Sequence, residues 1–328
     1  FSPQFVEVLL KSYSNTDTCV FDPFMGSGTV LVEAATLGLE AAGTEINPAA
    51  YHFASVYELS NLSLYRRELV IDEIERALQP LLKKSFPLFS LSNSTQEINI
   101  LDSLSILRNS LRSNEAKRLL KVLLLLLDYK TKGLDFQRLG NIWKKVKHVV
   151  LNLSLTKKPI TTLNADARRT SIKSSSVDLV ITSPPYINVF NYHQNYRATS
   201  EWFGYNLLEV AKSEIGSNRK HRGNRYLTVI QYILDMTQVF DELRRICTDD
   251  ARVIFVVGRE SNVRKTKFFN GEIIANLATR SSLWNAIFRQ ERVFTNRFGE
   301  GIYEDILHFL PNHARQPVVP AGRVRDGE

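Results

Sequence analysis

The segment Asp178-Leu-Val-Ile-Thr-Ser183-Pro184-Pro185-Tyr186 puts a hydroxyl, a carbonyl freed from pairing and a flat aromatic ring within four residues. Asp178 to Ile181 read as a buried strand, and the two prolines end it. Each proline holds φ at about −65° and lacks an N–H donor, so the ladder cannot continue and the Pro184 carbonyl is left to accept from a ligand. Ser183, Pro184, Pro185 and Tyr186 are therefore candidate catalytic residues: they can hold an exocyclic amino group in plane while the ring stacks on its base. A proline corner that merely closes a core strand is the plainer use of the same residues.

A second cluster lies near the start. Thr18-Cys-Val-Phe-Asp22-Pro23-Phe24 is strand-like and runs into Met25-Gly26-Ser27-Gly28-Thr29, followed by small and apolar residues at helical spacing from Val30 to Leu37. Gly38 stands where a helix stop belongs. Ala41 to Ile46 reads as a second strand carrying Glu45 at its end, and Asn47-Pro48 reads as an N-cap with proline at the first helical position. Strand, glycine loop, helix and a strand ending in an acid make the nucleotide-binding half of a doubly wound sheet, with Glu45 placed to bond a ribose diol. The third glycine of the dinucleotide fingerprint is missing, which argues against NAD, and no Gly-Lys-Ser/Thr follows, which argues against an ATPase loop.

The two clusters together resemble amino-group DNA methyltransferases. Asp22-Pro-Phe-Met-Gly26-Ser-Gly28-Thr29 is similar to the S-adenosylmethionine loop of that family, and Ser183-Pro-Pro-Tyr186 to its catalytic turn, where Asp, Asn or Ser precedes Pro-Pro and an aromatic. The resemblance implies S-adenosyl-L-methionine as cofactor, double-stranded DNA as partner and a Rossmann-like α/β fold with a mixed, mostly parallel sheet. The serine form is similar mostly to the cytosine-N4 branch, which is the expected target. The order, cofactor loop before catalytic turn, is the one common among adenine-N6 enzymes and keeps that alternative open. An RNA or protein-amide methyltransferase, or a subunit that binds DNA without activity, are further alternatives. A cognate restriction endonuclease is compatible with the family. Cytosine-C5 chemistry is set aside, because neither Cys19 nor Cys247 follows a proline.

The family also assigns roles by position. Phe5, in a short apolar helix over Phe1–Tyr13, is expected at the methionine end of the cofactor, with a packing helix as the alternative. Asp22, Pro23, Phe24, Gly26, Ser27, Gly28, Thr29, Glu45 and Ile46 form the expected cofactor set. Asp166 and Ala167, at the carboxyl end of a third strand read over Thr161–Arg168, join it, with Asp166 bonding the adenine amino group or else capping a turn. The base must leave the duplex to reach such a site.

With 42 Lys and Arg against 34 Asp and Glu, the chain carries a net charge of +8 over 328 residues, which favours polyanionic partners. Two basic stretches are expected to bind DNA: Lys212, Arg219, Lys220, Arg222 and Arg225 after the catalytic strand, and Arg259, Arg264, Lys265 and Lys267 after the fifth. Two cysteines make neither a disulfide framework nor a zinc site, so no metal is expected and a cytoplasmic setting is. The longest apolar run, Val122 to Leu127, is too short to span a bilayer. The chain divides into a cofactor-binding first half (1–60), a helical insertion that reads DNA or covers the cleft (61–155), a catalytic second half (156–310) and a loose tail (311–328). Within these, helices are expected over Gln231–Ile246 and Gly271–Arg289, a fifth strand over Ala251–Gly258, a polar loop from Tyr205 to Tyr226, and a hairpin of Arg292–Phe294 with Tyr303–Phe309.

Overall fold

Seven strands form a single mixed sheet in the order β3-β2-β1-β4-β5-β9-β8. They are β1 (Cys19–Asp22), β2 (Glu40–Thr44), β3 (Ile160–Leu163), β4 (Val177–Thr182), β5 (Cys247–Gly258), β8 (Trp284–Thr295) and β9 (Gly301–Pro311). β6 (Glu260–Val263) and β7 (Thr266–Phe269) make a separate small hairpin. The computed structural model describes residues 2–83, 107, 110–132, 136–187, 195–217, 224–280, 282–295 and 299–312.

β1 pairs in parallel with β2 on one side and β4 on the other, so the chain winds outward in both directions from this pair. Ligands of doubly wound sheets bind beyond the carboxyl ends of the strands at such a reversal. β5 extends the parallel set, and β9 joins it antiparallel with β8 outermost. The fold is thus the doubly wound α/β sheet expected from the sequence.

Alternation of apolar residues along the central strands sends side chains to both faces. Val20, Leu179, Ile181 and Ile254 pack with the Pro3–Tyr13 and Thr29–Thr36 helices. Phe21, Val180, Val253 and Phe255 pack with the Tyr226–Ile246 and Asn270–Arg280 helices. A third cluster joins Leu64–Lys83, Asn114–Leu127 and Phe136–Leu151, the helices of the 61–155 segment.

One buried cation ties the start of this helical segment to its end and to the 3₁₀ turn before it. Arg67 is 2% exposed, and its guanidinium donates to the carbonyls of Leu59, Ser60, Leu62, Val150, Leu153 and Ser154. Those oxygens belong to the C-terminal ends of the Val56–Asn61 3₁₀ turn and the Phe136–Leu151 helix and to the residues that follow them. Helix ends of this kind leave carbonyls unpaired and carry partial negative charge.

Several expectations shift. The helix read over 271–289 stops at Arg280, and 284–295 instead pairs along its length with β9. Cross-strand pairing at this distance overrides a local helical pattern. β3 stops at Leu163, so Asp166 sits in the turn beyond it. The polar 205–226 stretch contains a Leu207–Ser213 helix, capped by the Asn206 side chain, which accepts from the Glu209 amide. β5 begins at Cys247 rather than Ala251. Most of the tail lies outside the described residues.

Candidate active site

The glycine loop leaves β1 and the double-proline turn leaves β4, and these strands are neighbours, with Val20 opposite Leu179 and Phe21 opposite Val180. A side-chain bond ties their ends: the buried Thr182 hydroxyl donates to Asp22 Oδ1 at 2.6 Å, and the same oxygen accepts from the Phe24 amide at 3.0 Å. Asp22 is therefore a brace beneath the site rather than a group facing a ligand. Both turns open into one cavity of about 450 Å³, within the range of small-molecule sites.

On the first-half side the walls are Pro23, Phe24, Gly26, Glu45 and Ile46. Glu45 accepts from the Gly26 amide at 3.0 Å and the Asn47 amide at 2.8 Å, so β2 sets the position of the loop. Asn47 in turn caps the Pro48–Ser55 helix, accepting from the Ala49 and Ala50 amides. A Cβ at Gly26 would meet nothing within 4 Å, which leaves room beside the loop backbone where it lines the cavity. Gly28 is different. Its φ of +91° suits glycine, and a Cβ there would come within 2.8 Å of Tyr57.

On the second-half side stand Asp166, Ala167, Ser183, Pro184, Pro185 and Tyr186. Among the described residues, the Ser183 hydroxyl has no hydrogen-bond partner. Tyr186 lies against two backbone approaches. Gly258, at the end of β5, would bring a Cβ within 3.2 Å of the ring, and Gly216, at φ +78°, would bring one within 2.3 Å of the Tyr186 carbonyl. Asp166 is gripped by Arg168, whose Nε lies 2.9 Å from Oδ1 and whose Nη2 lies 2.5 Å from Oδ2. Arg168 also reaches Asp235 at 2.5 Å and the Ser213 carbonyl at 3.1 Å, fastening the 213–217 loop to the site.

Of the expected cofactor residues, seven line this cavity: Pro23, Phe24, Gly26, Glu45, Ile46, Asp166 and Ala167. Ser27, Gly28 and Thr29 lead into the Thr29–Thr36 helix and are not among its walls. Phe5 is not either; the Arg292 guanidinium stacks over its ring at 4.3 Å, beside the β8–β9 hairpin. Sequence reasoning missed Ala50, Phe53 and Glu214 as walls, while Tyr196, expected among the aromatics near the pocket, is one of them. Phe53 falls one turn beyond the recognised Asn-Pro cap, and its ring meets Tyr196 edge-on at 5.2 Å.

The basic residues lie as follows. Lys212 pairs with Glu209 and Lys267 with Glu260, while Arg225 is exposed at the head of the Tyr226–Ile246 helix. Arg264 and Lys265 form the exposed tip of the β6–β7 hairpin, both at positive φ. Arg259 pairs with Glu291 and stacks on Tyr303. Arg219, Lys220 and Arg222 lie outside the described residues.

Burial pushes both acids at the loop upward, Asp22 from its ordinary 3.8 to about 7 and Glu45 from 4.5 to about 7, with the nearby Glu214 adding to the Glu45 shift. A raised carboxyl keeps its proton in the folded state after the unfolded chain has lost it, so stability falls as pH rises through the 4–7 window. Melting of the ligand-free protein is expected to move down between about pH 5 and pH 8. Asp22→Asn, which keeps the acceptor oxygen, should flatten that slope; an unchanged slope would locate the titration elsewhere.

The strand order, the loop and the turn together give a doubly wound α/β sheet with one cavity shared by the glycine loop and the double-proline turn. Residues 1–56 match the N6/N4 methyltransferase family model, described as DNA methylase. The Type II methyltransferase M.MjaII of Methanocaldococcus jannaschii is 19% identical over 421 aligned residues, spanning 93% of this chain and 78% of that protein. Among solved structures, a SAM-dependent methyltransferase from Methanosarcina mazei superimposes at a TM-score of 0.42 with 11% identity, covering 92% of this chain and 96% of the other. The rRNA methyltransferase aviRa from Streptomyces viridochromogenes gives 0.38 with 11% identity, covering 95% and 85%. No described helix is long and apolar enough to cross a membrane, and no described cluster of three His, Cys, Asp or Glu could hold a metal.

Proposed function

We propose that this chain methylates the exocyclic N4 amino group of cytosine in duplex DNA, using S-adenosyl-L-methionine. The observation that carries the reading is that the glycine loop and the Ser183-Pro-Pro-Tyr186 turn share one cavity. When bound, the cofactor supplies a methyl group on a positively charged sulfur. The residues present suit such a ligand. Glu45, Asp166 and Glu214 bring carboxylates to the walls, Phe24, Ile46 and Ala167 offer apolar surface for a flat base, and the Glu45 carboxylate can accept from a diol.

The target nitrogen is a poor nucleophile, because its lone pair is delocalised into the ring. The Ser183 hydroxyl oxygen and the Pro184 carbonyl accept its two hydrogens, which favours a pyramidal nitrogen with a localised pair. That nitrogen forms the new N–C bond as the methyl leaves sulfur, and one N–H proton departs to solvent. Holding both reactants in line, with dipoles already oriented, supplies most of the gain. Tyr186 stacks on the flipped base. Lys212, Arg225, Arg264 and Lys265, with Arg219, Lys220, Arg222 and Lys267, contact phosphates around it. The 61–155 helices belong to the DNA-facing side.

Adenine N6 is the second reading, supported by the loop-first order of the motifs. Labelled cofactor and duplex DNA, followed by digestion and mass analysis of nucleosides, separates the two. N4-methylcytosine is expected, N6-methyladenine alone would reassign the base, and label absent from DNA would remove the proposal. Cofactor affinity should also rise from about pH 6 to pH 8 as Glu45 ionises and becomes the stronger acceptor. Glu45→Gln should bind more weakly with a flat profile, and a calorimetric titration reads both.

A further inference from the structure

A second cavity, of about 300 Å³, lies on the far side of the Pro48–Ser55 helix from the first. Ala49, Ala50 and Phe53 of that helix line the first cavity, whereas Tyr51 and His52 line the second. The Arg197–Trp202 helix bridges them as well: Tyr196 at its head lines the first, and Trp202 with Phe203 at its end lines the second. The two hollows are thus about one helix diameter apart, roughly 10–12 Å.

The opposite wall is an unusual face of the Asn114–Leu127 helix. Leu119, Leu123 and Leu127 of this helix are buried in the core, but Asn114, Lys117, Arg118 and Lys121, at helical spacing, turn toward the cavity. Arg118 is fixed there by Glu58 and by the Ser55 carbonyl at 2.8 Å. The Lys121 ammonium stands 5.9 Å from the Phe203 ring centre. Lys117 is exposed and has no ion-pair partner among the described residues. The positive potential is felt at His52, which burial first, then Lys121 and Arg118, push down to about 4. Its Nε2 meets the Tyr205 hydroxyl at 2.7 Å. Trp202 and Phe203 pack on the helical core and still line the cavity; a phosphate joined to a base would use both walls.

We propose that this second cavity binds a backbone phosphate of the target strand, a few nucleotides from the base held in the first cavity, with Lys117 and Lys121 answering the phosphate and Trp202 the adjoining base. The site rests on the methyltransferase reading and names where that enzyme holds the DNA strand. Each phosphate contact contributes about 0.9 to the slope of log affinity against log salt. The double variant Lys117→Gln/Lys121→Gln removes that one contact, so it should lower the slope by about 0.9 and weaken duplex binding by on the order of tenfold at about 0.1 M salt.

The test is fluorescence anisotropy of a labelled duplex over a salt series, with calorimetry of S-adenosylmethionine and emission from Trp202 read alongside. Trp143 and Trp284 are buried, at 4% and 1% exposure, and a Trp202→Phe control isolates the reporter. Duplex should quench Trp202 in the wild type and not in the double variant, while cofactor affinity stays the same in both. An unchanged slope in a variant whose wild type binds DNA would overturn the second site alone. A wild type that binds the cofactor but no DNA would overturn both it and the methyltransferase reading. Quenching by inorganic phosphate or a free nucleoside monophosphate, with none by duplex, would assign the cavity to a small phosphorylated ligand and sink the backbone claim.

Discussion

Ser183→Ala should lose methyl transfer by about 10²–10³-fold, the scale seen when one preoriented polar group is removed from a reacting centre. Tyr186→Ala should lose about 5- to 150-fold, corresponding to about 1–3 kcal/mol of base stacking. The two act differently. In the proposed reaction Ser183 touches the amino group as the lone pair localises, so its loss falls on the single-turnover rate. Tyr186 holds the base in place, so its loss falls partly on DNA affinity. Tyr186→Phe keeps the ring and should retain most of the rate, because the stack needs the face and not the hydroxyl. Cofactor binding by calorimetry and the melting temperature guard against misfolding, since the ring rests against Gly258. Transfer by Tyr186→Ala at the wild-type rate would remove the stacking role.

The electrostatics of the two cavities fit opposite ligands. The first gathers Glu45, Asp166 and Glu214, with Arg168 offsetting one of them, and suits a cation. The second gathers Lys117, Arg118 and Lys121, with Glu58 offsetting one, and suits a polyanion. A sheet reversing direction at β1 and β4 places the first. The helix that follows β2 places its outer face against the second. One short element, Pro48–Ser55, therefore separates the two chemistries.

What the sequence makes legible here is local. The Asn47-Pro48 cap, the loop after β1 and the proline corner after β4 each follow from the conformations of a few adjacent residues. Partnerships across the chain were not legible. Arg168 meets Asp235 at a separation of 67 residues, and nothing near position 168 signals that its acid neighbour Asp166 is already gripped. Residues 284–289 look helical in isolation, and only their β9 partners fix them as part of the strand, whereas Arg292–Phe294 reads as a hairpin strand from the sequence. Phe5 shows the same limit from the other side: a phenylalanine near the cofactor loop in sequence is drawn to Arg292 at the opposite end of the chain.

Arg67 is the strongest case, and the stability of the chain should reveal it. Its head has no carboxylate within ion-pair distance among the described residues and is met by six backbone carbonyls, with Val150 83 positions away. Two effects compete in Arg67→Met. Removing a buried charge recovers its desolvation cost, but it takes the charged donor from carbonyls at the ends of the Val56–Asn61 turn and the Phe136–Leu151 helix. Hydrogen bonds to a charged group contribute about 1.5–3 kcal/mol each, and breaking one side of a buried charged network costs about 3–5 kcal/mol. The Leu59 and Ser60 oxygens keep the Leu62 and Thr156 amides, but with the other acceptors losing their charged donor the loss should win by about 4 kcal/mol, or about 10 °C in melting temperature. The methionine fills most of the volume, so the drop reads the lost donors more than a cavity. Hydrogen exchange should rise first at the end of the Phe136–Leu151 helix and the Val56–Asn61 turn. A variant that melts with the wild type would mean that desolvation had cancelled the clamp, and that the helical segment is held together by its leucine core.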